Sequence, residues 1–143
     1  LKTNNMKTLK LTTLLLALAL IFGFTSCKYE DGPGISLRSK TARVAGEWII
    51  EKAIDSDGDE TTFTADESPV YKFEKDGTME ASWTFLGTTS TTKYTWELTD
   101  SKKKISLTDV DDGEVTSDEI LRLTNDEMWI KDSDGDKIYF KTK

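Results

Sequence analysis

Residues 71–85 read YKFEKDGTMEASWTF, from Tyr71 to Phe85. Tyr71 and Phe73, then Met79, Ala81, Trp83 and Phe85, are apolar at every second position, while Lys72, Glu74, Glu80 and Ser82 fill the gaps. A period of two places successive side chains on opposite faces of an extended chain, which is the signature of a half-buried strand. Between the two runs stand Asp76 and Gly77, a pair that accepts positive φ at both centres of a type I′ turn. The stretch therefore predicts an antiparallel hairpin with one wet face and one apolar face.

The same pattern runs outward in both directions. It predicts strands over 46–54, 61–64, 70–75, 78–86, 91–99, 104–108, 114–124, 128–131 and 137–141. No helical stripe interrupts them. "TDSKKK", "DVDDGE", "LTNDEM" and "DSDGDK" supply turn residues between the runs. Each connection is shorter than the dozen residues that a parallel crossover needs, so the chain is an all-β antiparallel up-and-down meander. Trp48 and Ile50, Tyr71 and Phe73, Met79, Ala81, Trp83 and Phe85, Tyr94, Trp96 and Leu98, Ile105 and Leu107, and Leu121 and Leu123 share the apolar parity. With no helix to cover that face, closure into a small barrel removes both the open edges and the exposed apolar surface. The last runs break the pattern, because Trp129 lies against Met128 and Ile130, and Tyr139 against Ile138 and Phe140. A bulge or a covered outer patch is expected there.

The front of the chain follows different rules. From Met6, "MKTLKLTTLLLALALIFGFTSC" has a short basic region with Lys7 and Lys10, an apolar run of about 14 residues and small residues before Cys27. That run is shorter than the roughly 20 apolar residues a spanning helix needs, and it predicts a signal peptide over residues 1–26 that starts in practice at Met6. "FTSC" resembles the lipobox of bacterial lipoproteins, with Phe24 in place of the usual leucine. The resemblance implies cleavage before Cys27, acylation of that cysteine, and a membrane partner reached through its acyl chains. Two chains exceed the threshold for stable anchoring. Residues 27–41, with Gly32, Pro33 and Gly34, are expected to form a flexible tether, and 42–143 the folded domain. Lys28, Glu30 and Asp31 resemble the export signal of surface lipoproteins in the Bacteroidetes, which implies an outer-membrane, surface-exposed location in the cell envelope.

Composition narrows the function. The chain has 19 basic and 26 acidic residues; without residues 1–27, which contain Lys2, Lys7 and Lys10 and no acid, 16 bases face 26 acids, a net charge of −10. That sign argues against nucleic acid, which needs clustered Lys and Arg. There is no histidine, so histidine-dependent catalysis is excluded, and with its single cysteine assigned to lipid the usual zinc sets fail too. The carboxylates fall on outward parity or in turns, and no catalytic residue or cofactor is expected. "DSDGDE" at 55–60 and "DSDGDK" at 132–137 invite a calcium test, but glycine falls fourth rather than sixth as the helix–loop–helix site requires. The bland account is that Asp and Gly supply turn dihedrals, and no metal ligand is assigned.

"VAGEW", Val44 to Trp48, resembles the lipocalin motif of glycine, any residue and tryptophan on the first strand. The resemblance implies that Gly46 allows close packing, that Trp48 plugs the closed end of an eight-stranded barrel, and that a short 3₁₀ turn precedes the strand where "ISLRSKTAR" stands. Together with the lipobox and the "Y-x-F-x-x-D-G-T" hairpin, the chain resembles the short lipocalin-like lipoproteins of Bacteroidetes. The barrel portion, about 100 residues, is shorter than a standard lipocalin, and the family's threonine-aspartate-tyrosine motif is absent. Two readings of the aromatic face stay open. Tyr71, Phe73, Trp83, Phe85, Tyr94 and Trp96 could wall a site for a small apolar ligand, or they could fill the barrel outright. The first makes the protein a non-catalytic binding protein. The second makes it a structural or interaction module, with Trp129 and Tyr139 near its contact surface. The oligomeric state is not legible.

Overall fold

The computed structural model describes residues 37–143. The signal-peptide reading, Cys27 and the tether up to residue 36 lie outside the described residues. Where the resemblance implied a short 3₁₀ turn before the first strand, the described residues form a short α-helix, α1, over Lys40–Val44. Its five residues are too few to show an apolar stripe, but local hydrogen bonds hold it. Ser39 is its N-cap, the hydroxyl accepting from the Ala42 N–H at 3.1 Å, and the Arg38 guanidinium donates to the Ala42 carbonyl at 2.7 Å. Arg43 donates to the Leu123 carbonyl at 2.6 Å, and Val44 is fully buried.

Nine antiparallel strands follow: β1 (Gly46–Ile54), β2 (Glu60–Thr62), β3 (Val70–Phe73), β4 (Thr78–Phe85), β5 (Thr88–Thr99), β6 (Lys104–Asp109), β7 (Val115–Leu123), β8 (Glu127–Lys131) and β9 (Lys137–Thr142). From β3 to β9 each pairs with the next, β9 pairs back onto β1, and β1 pairs with β3. Eight strands thus close into a barrel, and β2 adds a short ninth alongside the far half of β1, at Lys52 to Ile54. The predicted meander and closure stand. α1 and the start of β1 mark the closed end; the turns after β1, β4, β6 and β8 mark the open end.

The broken parity of the last strands has a specific cause. Ile50 pairs with Phe140 but Lys52 with Tyr139, so Glu51 is an extra residue. Likewise Ile120 pairs with Ile130 but Arg122 with Trp129, so Leu121 is extra. These two bulges correct the parity of β7: Ile120 and Leu123 both join the core cluster, which does not contain Leu121. They also align Lys52, Tyr139, Trp129 and Arg122 in one row across β1, β9, β8 and β7. In that row Trp129 and Tyr139 stack at 5.0 Å between centroids, with the Lys52 ammonium 4.9 Å from Tyr139 and the Arg122 guanidinium 5.1 Å from Trp129.

The turn chemistry differs from expectation at Asp76–Gly77. Only Gly77 has positive φ, 92°; its N–H donates to the Glu74 carbonyl at 3.2 Å, and Glu74 N–H donates to Thr78 at 2.9 Å. This is a three-residue loop with glycine in the left-handed position. The two DSDGD turns repeat it, with Gly58 and Gly135 both at φ 95°. The two-residue turn with positive φ at both centres falls instead at Leu86 (48°) and Gly87 (78°), between Phe85 and its partner Thr88. Leu86 is therefore a turn residue, and β5 begins at Thr88 rather than 91.

Candidate functional site at the barrel mouth

The closed end is packed. Trp48 is 1% exposed and its indole N–H donates to the Val44 carbonyl at 2.8 Å. Phe73 and Trp96 meet edge to face at 5.7 Å, and the Trp96 indole N–H donates to the Glu74 carbonyl at 2.9 Å. Both belong to the buried core with Met79, Ile105, Leu123, Met128 and Phe140. Of the six aromatic residues expected to wall a ligand site, Phe73 and Trp96 are thus core side chains, and the indole N–H of Trp96 is already used.

One inward step toward the open end, burial falls on β1, β3, β5, β6 and β9, while Ala81 on β4, Ile120 on β7 and Ile130 on β8 stay buried. Trp48 gives way to Ile50, Phe73 to Tyr71, Trp96 to Tyr94, Ile105 to Leu107 and Phe140 to Ile138; the first of each pair is buried and the second is half-buried and packed on the core. A side chain that points into a closed barrel and is still reached by solvent lines an opening. Tyr71 lies edge-on to Phe140 at 5.4 Å, and burial followed by the nearby Tyr94 hydroxyl pushes its own hydroxyl pKa up. Asp118 continues the pattern on β7. It is half-buried, pairs with the inward Ile105, and its carboxyl pKa is raised by burial and, secondarily, by Asp132. No spacing in the sequence pointed to Asp118, because the parity read from Leu121 and Leu123 put it on the outward face, and the bulge at Leu121 turns it inward. The parity of Ile105 across the ladder was the available signal.

Trp83 and Phe85 share inward parity but stand apart. β3 ends opposite Ser82 and the β6 ladder ends opposite Tyr94, so β4 and β5 continue beyond the closed wall as a two-stranded ribbon. Trp83 is 45% exposed and Phe85 71%. They are therefore not walls of an enclosed lumen, and the expectation for them is corrected to that extent. Trp83 instead borders an outer groove of about 460 Å³, whose lining includes Glu47, Asp66, Lys72, Glu80 and Ser82.

The acidic turns ring the same mouth. Asp55 accepts from the N–H groups of Asp57 and Asp59 at 3.0 and 2.9 Å, and Asp132 accepts from those of Asp134 and Asp136 at 2.9 and 3.0 Å. These first aspartates fold their own loops. The two turns also touch, the Ser56 N–H donating to Asp136 Oδ1 at 2.8 Å.

Among solved structures, a lipocalin-like protein from Bacteroides uniformis superposes with a TM-score of 0.61 at 18% identity, over 71% of this chain and 99% of its own. An uncharacterized protein from Bacteroides eggerthii superposes with a TM-score of 0.59 at 18% identity, over 69% of this chain and 98% of its own. At such identity the likeness concerns the fold alone. No curated protein matches the chain. The sequence model of the lipocalin-like domain matches residues 44–130, from the buried Val44 of α1 to the inward Ile130 of β8. With that match spanning more than half of the sequence and a closed eight-stranded barrel beneath it, the chain belongs to the lipocalin-like domain family.

Proposed function

We propose that the protein is a lipid-anchored, non-catalytic binding protein of the cell envelope that takes a small, largely apolar ligand at the open mouth of its barrel. The lipocalin-like fold is one of small-ligand binding or structural barrels. The observation that supports binding here is the stepwise loss of burial from Trp48, Phe73, Trp96, Ile105 and Phe140 to Ile50, Tyr71, Tyr94, Leu107 and Ile138. A barrel of eight strands has an interior just wide enough for side chains or for one small ligand. Here the lower half holds side chains, and the upper half leaves two tyrosine rings and three aliphatic side chains as walls.

The test is titration with a neutral solvatochromic dye. Saturable binding to the wild type, weakened at least tenfold in Tyr71→Ala or Tyr94→Ala while Leu86→Asn leaves it unchanged, supports the reading. No saturable binding overturns it and favours the interaction module, for which the exposed Trp83, Phe85 and Leu86 and the Trp129–Tyr139 stack would supply contacts. Anchoring is tested separately. Cys27→Ser should abolish incorporation of a fatty-acid analogue and move the protein from the membrane to the soluble fraction, and unchanged label and retention would contradict it.

A further inference from the structure

We infer that the ligand of the barrel mouth carries a protonated amine on its apolar body, and that Asp118 is the group that receives it. The inference rests on the binding reading above and adds the ligand's charge. Strand register determines which charges the lumen contains. Asp118 pairs with Ile105 and Asp109 with Tyr94, so both carboxylates occupy inward positions. Among the described strands no lysine or arginine does. Lys52 lies in the outward row with Tyr139, and Lys131, paired with Lys137, forms an outward ion pair with Glu119 at 2.7 Å. Lys93 pairs with Glu80 outside the wall. The charge of the inner wall is therefore carried by acids.

The Asp118 carboxyl is affected by burial and by Asp132, with no hydrogen bond or ion pair to it among the described residues. It is half-buried beside Ile105, with Ile120 two residues further along β7. A half-buried carboxylate in an apolar wall is better solvated by a cation than by the chain around it, and a second carboxylate near it, Asp132, adds to the local negative potential. The flanking turns carry Asp55, Asp57, Asp59, Asp111, Asp112, Asp134 and Asp136, so the field outside has the same sign as the field inside. A fatty-acid carboxylate would enter against both. An alkylamine would enter with both, placing its ammonium at Asp118.

Decylamine, decanol and decanoate at pH 7.4 share one alkyl chain and differ in head charge, and competition against the neutral dye ranks them. Decylamine is expected to bind at least tenfold tighter than decanoate, with decanol between. Asp118→Asn, checked for folding by near-ultraviolet circular dichroism, should bring the amine and the alcohol within about threefold of each other. Should Asp118→Asn not fold, Asp109→Asn is expected to narrow the gap partially. Raising salt from 20 to 500 mM should weaken the amine preference and spare the alcohol. Binding of all three without an amine preference, or a preference that survives Asp118→Asn, overturns this inference and leaves the binding reading standing. Failure of the dye and of all three compounds overturns both.

Discussion

Trp48 donates its indole N–H to the carbonyl of Val44 at 2.8 Å, so the side chain that plugs the barrel also fastens the helix that caps it. Each partner is almost wholly buried. Trp48→Ala removes the largest buried side chain and the bond together, and is expected to cost about 3–5 kcal/mol. Trp48→Phe keeps much of the ring but leaves a buried carbonyl without its donor, a cost of about 1–3 kcal/mol. Urea denaturation measures both. Equal, small losses would show that the closed end is not a packed unit.

Gly77 and Gly58 have nearly the same φ, 92° and 95°, in loops of the same type. An alanine Cβ at Gly77 would sit 3.4 Å from the Trp96 carbonyl, whereas at Gly58 nothing lies within 4 Å. Both substitutions incur the left-handed cost of about 1–2 kcal/mol. Gly77→Ala should cost more, because the Gly77 carbonyl also accepts from the Trp96 N–H at 2.7 Å and a shift of the loop strains that bond. Melts of the two variants test the difference; identical losses would contradict it.

The repeating architecture was legible because Tyr71, Phe73, Met79 and Ala81 obey a period of two in a segment with no bulge. It failed where geometry is non-local. Glu51 and Leu121 carry no residue type that marks a bulge, and only the pairing of β1 with β9 and of β7 with β8 reveals them. The parity of Trp83 and Phe85 was read correctly, but whether a strand has neighbours depends on where other strands stop, at Val70 and Asp109. The mouth was half legible. Tyr71 and Tyr94 were singled out from their aromatic rings; Asp118 required the ladder.

Lys52 above Tyr139 at 4.9 Å predicts a measurable coupling on the outer face. A double-mutant cycle with Lys52→Met and Tyr139→Leu is expected to give about 0.5–1 kcal/mol. The Lys52–Glu60 ion pair at 2.9 Å is lost in both Lys52→Met steps of the cycle, so it cancels. A coupling of zero would reduce the row to coincidental packing.

Asp118 sets a pH dependence of known sign. Its folded pKa lies above its unfolded value because burial and Asp132 disfavour the anion. The native state therefore holds the proton more tightly, and stability falls as pH rises from the unfolded pKa through the folded one. Asp118→Asn should be more stable than the wild type near neutral pH and lose that advantage at acid pH. Thermal melts from pH 3 to 7.5 measure it, and a variant less stable throughout would contradict the assignment.

The most direct test of a barrel packed below and open above is a map of backbone amide shifts during titration with decylamine. Saturable changes are predicted at Ile50, Tyr71, Tyr94, Leu107, Asp118 and Ile138, with the indole signals of Trp48 and Trp96 unmoved. Changes confined to the outer row of Trp129 and Tyr139, or none that saturate, would contradict the account.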